Sequence, residues 1–304
     1  MSTPRITQRL MVERSLSAMQ TGMGRLARSQ EQLSSGRVIN RPSDSPTGTN
    51  DAMRLRAQLA SDAQHARNAS YGLSYLGQTD STLTTMVDNV RRARDLVVQG
   101  ASTGSNGPEA RAALTAELKQ IRDSLLALAN TQHMGRPLFG GTAGAGDAYT
   151  ATAAAPPAVP AVSFAGDTGA VTRTVGDGVT VKVNLSGPEA FSVAGDDLFT
   201  VMADTIDLMI NNPGQLGTSL GRLDAVSGQM LSALADVGTR YGRVEGALTT
   251  VNNATLDNTA ALSEVENVDI AKAIVDQQMQ EVAYQAALGA TARVLQPSLL
   301  DFLR

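Results

Sequence analysis

The chain of 304 residues carries a formal net charge of −4, is 42% hydrophobic and 18% charged, and has only 3% aromatic residues. Ala, Leu, Val, Met and Gln suit thin helical bundles better than a thick globular core, and the acidic balance without a Lys/Arg run excludes the phosphate-neutralising surface of a nucleic-acid binder. Lack of cysteine removes disulfides, thiolate metal sites and cysteine nucleophiles, and the widely separated His65 and His133 make no metal cluster.

The first segment holds Arg5, Arg9, Glu13 and Arg14 with no apolar core behind them, so it does not read as a cleaved secretory signal, and no run approaches the length of a membrane span. Its apolar residues Val12, Leu16, Met19, Met23, Leu26 and Leu33 follow a 4-3 alternation, with Gln30 in the skipped slot. That is a heptad seam on a helix. The stretch LSSGRVINRPSDSPTG then breaks it. Pro42 and Pro46 remove backbone donors and push Arg41 and Ser45 out of the α region, while Gly36 and Gly48 permit turns. Val38 and Ile39 offer a small apolar anchor, and Asp44, Ser45 or Thr47 is expected to cap a helix starting around Thr49 to Asp51.

A second seam runs Leu55, Leu59, Asp62, Ala66, Ala69, Leu73, Leu76, Thr79, Leu83, Met86, Val90, Ala93 and Val97, a helix roughly 60 Å long at 1.5 Å per residue. After the Gly/Pro punctuation of QGASTGSNGP, a third helix carries Leu114, Leu118, Ile121, Leu125 and Leu128, and the two are expected to pack antiparallel. The character changes beyond Phe139. GGTAGAG and ATAAAPPAVPAV read as flexible or polyproline-like, and VTRTVGDGVTVKVNLSG alternates around Gly176-Asp177-Gly178, which predicts a β-hairpin. Asp196 and Asp197 stand where helical periodicity returns; adjacent acids there fit a helix cap and dipole better than a catalytic pair. The periodicity resumes after NNPGQ through Leu220, Leu223, Val226, Met230, Leu234, Val237, Tyr241, Val244, Leu248 and Val251, and reaches Leu262, Val265 and Val268. The last segment carries Val275, Met279, Val282 and Ala286, then shifts seam to Leu288, Ala292, Leu295 and Leu299.

The fold class is therefore mainly α: an elongated helical bundle or coiled-coil rod built from the N- and C-terminal segments, with a small β-rich region in the middle. Residues 5–34 hold five Arg against two Glu, a net +3, and residues 264–304 a net −3, so the two ends are expected to lie side by side. Exposed pairs contribute only about 0 to 1 kcal/mol each. No Ser-His-Asp set, cofactor motif or metal constellation emerges, so catalytic, cofactor-binding and metal residues are all expected to be absent.

LSSGRVINRPSDSPTG resembles the joint after the first helix of the bacterial flagellin-like family, and its Pro42-Ser43-Asp44-Ser45-Pro46 form is closer to the hook-filament junction branch of that family than to flagellin itself. NVRRARDLVVQGAST is similar to the end of the first long rod helix in flagellins. LANTQHMGRPLFGGT and VDIAKAIVDQQMQEVAYQAALGATARVLQPSLLDFL resemble the junction branch, and VNLSGPEAF adds a further match. One departure is Ser45, where the family joint often has a second acid.

The resemblance implies a structural, non-enzymatic protomer of the extracellular bacterial flagellum, secreted through the flagellar type III apparatus after a cytoplasmic stage. It implies self-association in a tubular assembly, flagellin and another hook-associated protein as neighbours, an export chaperone at the C-terminal segment, and neither nucleic acid nor membrane insertion. The expected layers are residues 1–48 with 268–304 as a terminal axial layer, 49–139 with 197–267 as a rod, and 140–196 as an outer domain. The assembly interface is expected at Val12, Leu16, Met19, Met23, Leu26, Leu33, Val275, Met279, Val282, Ala286, Leu288, Leu295 and Leu299, with Gly36, Pro42, Asp44, Pro46 and Gly48 forming the joint. Flagellin is the alternative reading; a generic coiled-coil binding module and a secreted carboxylate enzyme using Asp196 and Asp197 are two others.

Overall fold

The computed structural model describes residues 3–102, 107–152 and 159–295, with side chains at Leu10 and from Glu13 to Ala292 within those spans. The QGASTGSNGP and PPAVPAV stretches are thus described only at their edges. In chain order come α1 (Thr3–Ser35), α2 (Pro46–Ala101), α3 (Pro108–Ala129), β1 (Gln132–His133), β2 (Arg136–Pro137), β3 (Tyr149–Ala151), β4 (Val162–Phe164), β5 (Thr172–Gly176), β6 (Val179–Lys182), α4 (Gly187–Phe191), β7 (Ser192–Val193), β8 (Asp196–Asp197), α5 (Leu198–Asn211), α6 (Leu216–Glu266) and α7 (Ile270–Leu295). The chain divides into two compact units, Met1–Ser61 with Thr255–Arg304 and Asp62–Ala254.

In the second unit the predicted seams are core. Ala69, Leu76, Leu83, Met86, Val90, Ala93 and Val97 of α2 are buried, as are Leu118, Ile121 and Leu125 of α3 and Leu223, Val226, Met230, Val237 and Val244 of α6. Helix α3 runs antiparallel to α2, with Arg92 on Glu117 at 2.7 Å and Asn89 on Ser124. Helix α6 runs antiparallel as well: Arg94 meets Asp224 and a Cβ on Gly72 would touch Val244. Close packing of several helices explains why α2 also buries Tyr75, Val87 and Leu96, which lie off its seam. Tyr241 departs from expectation: it sits on the predicted seam yet is exposed, and its ring edge lies over Gly77.

Among the described residues the β-structure consists of four two-stranded antiparallel hairpins. The predicted one is β5-β6, turning at Asp177-Gly178 with Gly178 at φ +70 and a register shift between Thr174 and Gly176. The turns of β1-β2 and β7-β8 each hold a non-glycine residue at positive φ before a glycine, Met134 then Gly135 and Ala194 then Gly195. These hairpins share one core with the helices. The scarce aromatics gather where they meet, with Phe164, Phe191 and Phe199 around Tyr149 at ring separations of 4.9 to 5.9 Å and Phe139 4.8 Å from Phe191.

Gly187 opens α4 directly against that cluster. A Cβ there would lie 2.4 Å from the Tyr149 hydroxyl and 2.7 Å from its ring, and the ring is buried among Phe164, Phe191 and Phe199 with no room to swing. Gly187→Ala is therefore expected to lower stability by about 1–3 kcal/mol, read as a reduced urea midpoint with unchanged slope.

The Asp197 carboxylate caps α5. It accepts the Phe199 N–H at 2.9 Å, the Ser192 hydroxyl at 3.1 Å and the Tyr149 hydroxyl at 3.4 Å. Burial nonetheless outweighs these bonds and holds its carboxyl above the usual range. A carboxyl raised in the fold contributes stability that is full below its unfolded value and is lost as pH rises through the folded one. Asp197→Asn should flatten that dependence between acid and neutral pH. Asp197→Ala should instead lose about 1 kcal/mol at every pH with the cap, both read by urea unfolding across a pH series.

Candidate functional site

The candidate site lies wholly in the first unit, where two helix breaks meet. Gly36 ends α1 at φ +70, and its N–H closes on the Gln32 carbonyl at 2.9 Å. Residues 36–38 then pair with the second break: Arg37 bridges Asn267 antiparallel, the Val38 N–H donates to the Glu266 carbonyl at 2.7 Å, and the Val268 N–H donates to the Gly36 carbonyl at 3.0 Å. Glu266 is only 6% exposed, and the Arg56 guanidinium grips both its oxygens at 2.7 and 2.9 Å, with Arg37 at 3.9 Å.

The predicted joint residues fall into distinct roles. Asp44 closes a local turn, accepting the Arg41 N–H at 2.9 Å and the Asn40 N–H at 3.2 Å. Ser45 is the cap of α2: its hydroxyl accepts the Gly48 N–H at 3.2 Å and its carbonyl the Thr49 N–H at 2.8 Å. Pro46 is the first residue of α2, where no donor is needed, so the helix begins earlier than the expected Thr49 to Asp51. A Cβ at Gly48 would stand 2.6 Å from Ile39 Cδ1, so the missing side chain lets the Ile39 anchor fold over the start of α2. Pro42 stands exposed in the turn. Glu266, Arg56 and Asn267 were not legible as site residues; the Asp269 cap of α7, accepting the Lys272 N–H at 3.1 Å, is the sequence signal that marks the second break.

Beyond the joint α1 and α7 run side by side and antiparallel, with Gly22 against Tyr284 and Arg37 against Asn267. Along the contact the half-buried or buried positions include Ser15, Met19, Gly22, Leu26, Ser29 and Leu33 on α1, where Glu31 and Gln32 are half-buried as well, and Ala273, Gln277, Gln280, Tyr284, Ala287 and Thr291 on α7. Each set keeps the 4-3 spacing, yet most members are small or polar. The predicted seam is thus split. Met19, Leu26 and Leu33 join the contact, whereas Leu16, Met23, Val275, Met279, Val282, Ala286 and Leu288 face solvent, Met23 at 61%, Met279 at 63% and Val282 at 66%. Val12 and Leu295 have described backbone only, and Leu299 lies outside the described residues. The two ends lie side by side, as expected from their opposite net charges.

The arrangement displays apolar side chains on paired helices; it assembles no reacting groups. Asp196 is held below the usual carboxylate range by the Arg222 guanidinium at 2.7 Å, and Asp197 caps α5, so each of these acids has a structural task. His133 packs edge-on against Tyr75 at 5.6 Å. Among the described residues no three metal-capable side chains cluster, and no helix is long and apolar enough to cross a membrane.

The family described as bacterial flagellin N-terminal helical region matches residues 7–143. The flagellar filament 33 kDa core protein of Treponema phagedenis is 26% identical over 91% of this chain and 92% of its own. The flagellar hook-associated protein 3 of Salmonella typhimurium is 24% identical over 93% of this chain and 94% of its own. Among solved structures, the flagellar hook-associated protein-3 of Legionella pneumophila has a TM-score of 0.63 at 14% identity, covering 70% of this chain and 98% of that one.

The Glu266 carboxylate holds the two breaks together. Glu266→Gln should leave the helices intact while loosening the pairing of residues 36–38 with 266–268. Amide exchange at Val38 and Val268 is expected to rise about tenfold, equivalent to roughly 1.4 kcal/mol of local stability. Unchanged protection at both amides would show that the backbone bridge stands without the ion pair.

Proposed function

We propose that the chain, which is similar over residues 7–143 to the bacterial flagellin N-terminal helical region, acts as a structural, non-enzymatic protomer of the bacterial flagellum at the junction between hook and filament. The observation that carries this reading is the α1–α7 pair, many of whose large apolar side chains face solvent while most members of its internal seam are small or polar. A two-helix layer of this kind gains little from its own contact and most from burial against further copies.

The proposal extends to the parts of the assembly. The exposed residues Leu16, Met23, Val275, Met279, Val282, Ala286 and Leu288, with Val12, Met19, Leu26, Leu33, Leu295 and Leu299, form the surface that meets neighbouring protomers, and Gly36, Pro42, Asp44, Pro46 and Gly48 set the joint behind it. Residues 1–48 with 268–304 serve as the axial layer, 49–139 with 197–267 as the rod, and 140–196 as the outer part. Flagellin on one side and another hook-associated protein on the other are the neighbours. Export runs through the flagellar type III apparatus from the cytoplasm, with a chaperone on the C-terminal segment.

A second reading, the filament subunit itself, is favoured by one observation: the Treponema filament core protein matches over 91% of the chain, nearly as much as the 93% of the hook-associated relative. Purified chain that grows long filaments unaided would select it. Under the junction reading, deleting the gene leaves finished hooks while unpolymerised flagellin appears in the medium. Val282→Asp should reproduce that phenotype without moving the urea midpoint of the free chain. Wild-type filaments on cells carrying only the Val282→Asp chain would remove this helix face from the assembly.

A further inference from the structure

Three of the hairpin turns place a glycine at positive φ, Gly135, Gly178 and Gly195. Met134 and Ala194 precede two of them, and Asp177 precedes Gly178. A backbone nitrogen approaches the carboxyl carbon of the residue before it most readily when it belongs to glycine, because no Cβ crowds the path. Asp177-Gly178 is the one Asp-Gly pair in the chain.

The turn leaves both reacting groups free. Asp177 and Gly178 are exposed, and a Cβ built on Gly178 would meet nothing within 4 Å. Among the described residues the Asp177 carboxylate makes no hydrogen bond or ion pair, and the Gly178 N–H has no acceptor. The other described aspartates each lack one of these conditions. Those inside helices are followed by an N–H that the helix ladder engages. Asp44, Asp167, Asp196, Asp197 and Asp269 are held by the donors they accept from, and Asp147 precedes the buried Ala148.

We infer that Asp177-Gly178 is a site of spontaneous backbone rearrangement to isoaspartate. The Gly178 nitrogen bonds to Asp177 Cγ, and its hydrogen leaves with the carboxyl hydroxyl as water, which closes a cyclic imide. Water then reopens the ring. Attack at Cγ restores aspartate; attack at the main-chain carbonyl leaves the peptide bond running through Cβ and Cγ, beside a free α-carboxylate.

The product lengthens the backbone between Gly176 and Val179, which stand opposite each other across the turn. The strands behind that turn are tied down. Val175 and Val181 are core, the Thr174 carbonyl accepts the Asn68 side-chain N–H at 2.8 Å, and the Arg173 guanidinium lies 4.8 Å over the Tyr71 ring. An added backbone atom shifts the pairing against these fixed points, so the rearranged hairpin loosens from α2.

The sequence makes the test direct. Trypsin cuts after Arg173 and Lys182, and the peptide 174–182 between them holds Asp177 as its one acidic side chain and no asparagine. The full chain is kept for weeks in warm heavy-oxygen water and then digested. A second chromatographic form of this peptide should appear, carrying one heavy oxygen and accepting a methyl group from S-adenosylmethionine on its α-carboxylate when an isoaspartyl methyltransferase is added. Its yield should exceed that from any other described aspartate at least about tenfold. Asp177→Glu, which would have to close a larger ring, should abolish the product, and Asp177→Asn, which expels ammonia in place of water, should hasten it. A peptide 174–182 that stays unlabelled and unmethylated, or equal product from the Asp177→Glu chain, overturns the site. Asn106-Gly107 falls in a different tryptic peptide and is read separately; Asn106 lies outside the described residues.

Amide exchange tests the loosening. The Val183 N–H, which donates to the Val171 carbonyl at 2.9 Å, should exchange about tenfold faster in the rearranged fraction than in an Asp177→Glu chain aged beside it. Equal exchange in the two overturns the structural consequence.

Discussion

The first unit depends on one constraint, that two helix breaks far apart in the chain must satisfy each other's backbone. A helix that stops leaves unpaired carbonyls and N–H groups, and these cost free energy unless something answers them. Residues 36–38 and 266–268 do so mutually, through the Val38 N–H to Glu266 and the Val268 N–H to Gly36. The buried Glu266 carboxylate then needs its own compensation and finds it in Arg56. Because both breaks sit at one level, α1 and α7 leave it together and run side by side.

Much of this was legible because it rests on spacing and punctuation. The seams of α2, α3 and α6 appear in the structure as core, the Gly-Asp-Gly turn closes a hairpin, and the proline-bearing stretch ends one helix and starts another. Ser45 caps α2 although three residues suit a cap by type. The choice fell on it because Pro46 occupies the first helical position, which leaves only the preceding residue in capping geometry.

What was not legible depends on contacts distant in sequence. A 4-3 pattern says that a stripe exists and not what covers it, so Leu16 and Met23 read like core although nothing in the protomer buries them. Composition suggested a core without rings; the few rings are instead concentrated around Tyr149, where hairpins stand on helices and larger gaps must be filled. Net charge likewise foretold that the ends would meet but not how. They meet mostly through small and polar side chains, with Met19, Leu26, Leu33 and Tyr284 among them.

The two thioethers at Met23 and Met279 give that exposed stripe a chemical lifetime. Each side chain is exposed in the protomer, with the Met23 sulfur accepting the Tyr284 hydroxyl at 4.0 Å, and peroxide converts such a group to a sulfoxide, a strong hydrogen-bond acceptor. In the proposed assembly neighbours cover these side chains, so there a copy waiting to be placed ages in a way that a placed copy does not. Repair by sulfoxide reductases is confined to compartments that hold them, so a copy oxidised outside the cell is a permanent loss to the structure it was made for.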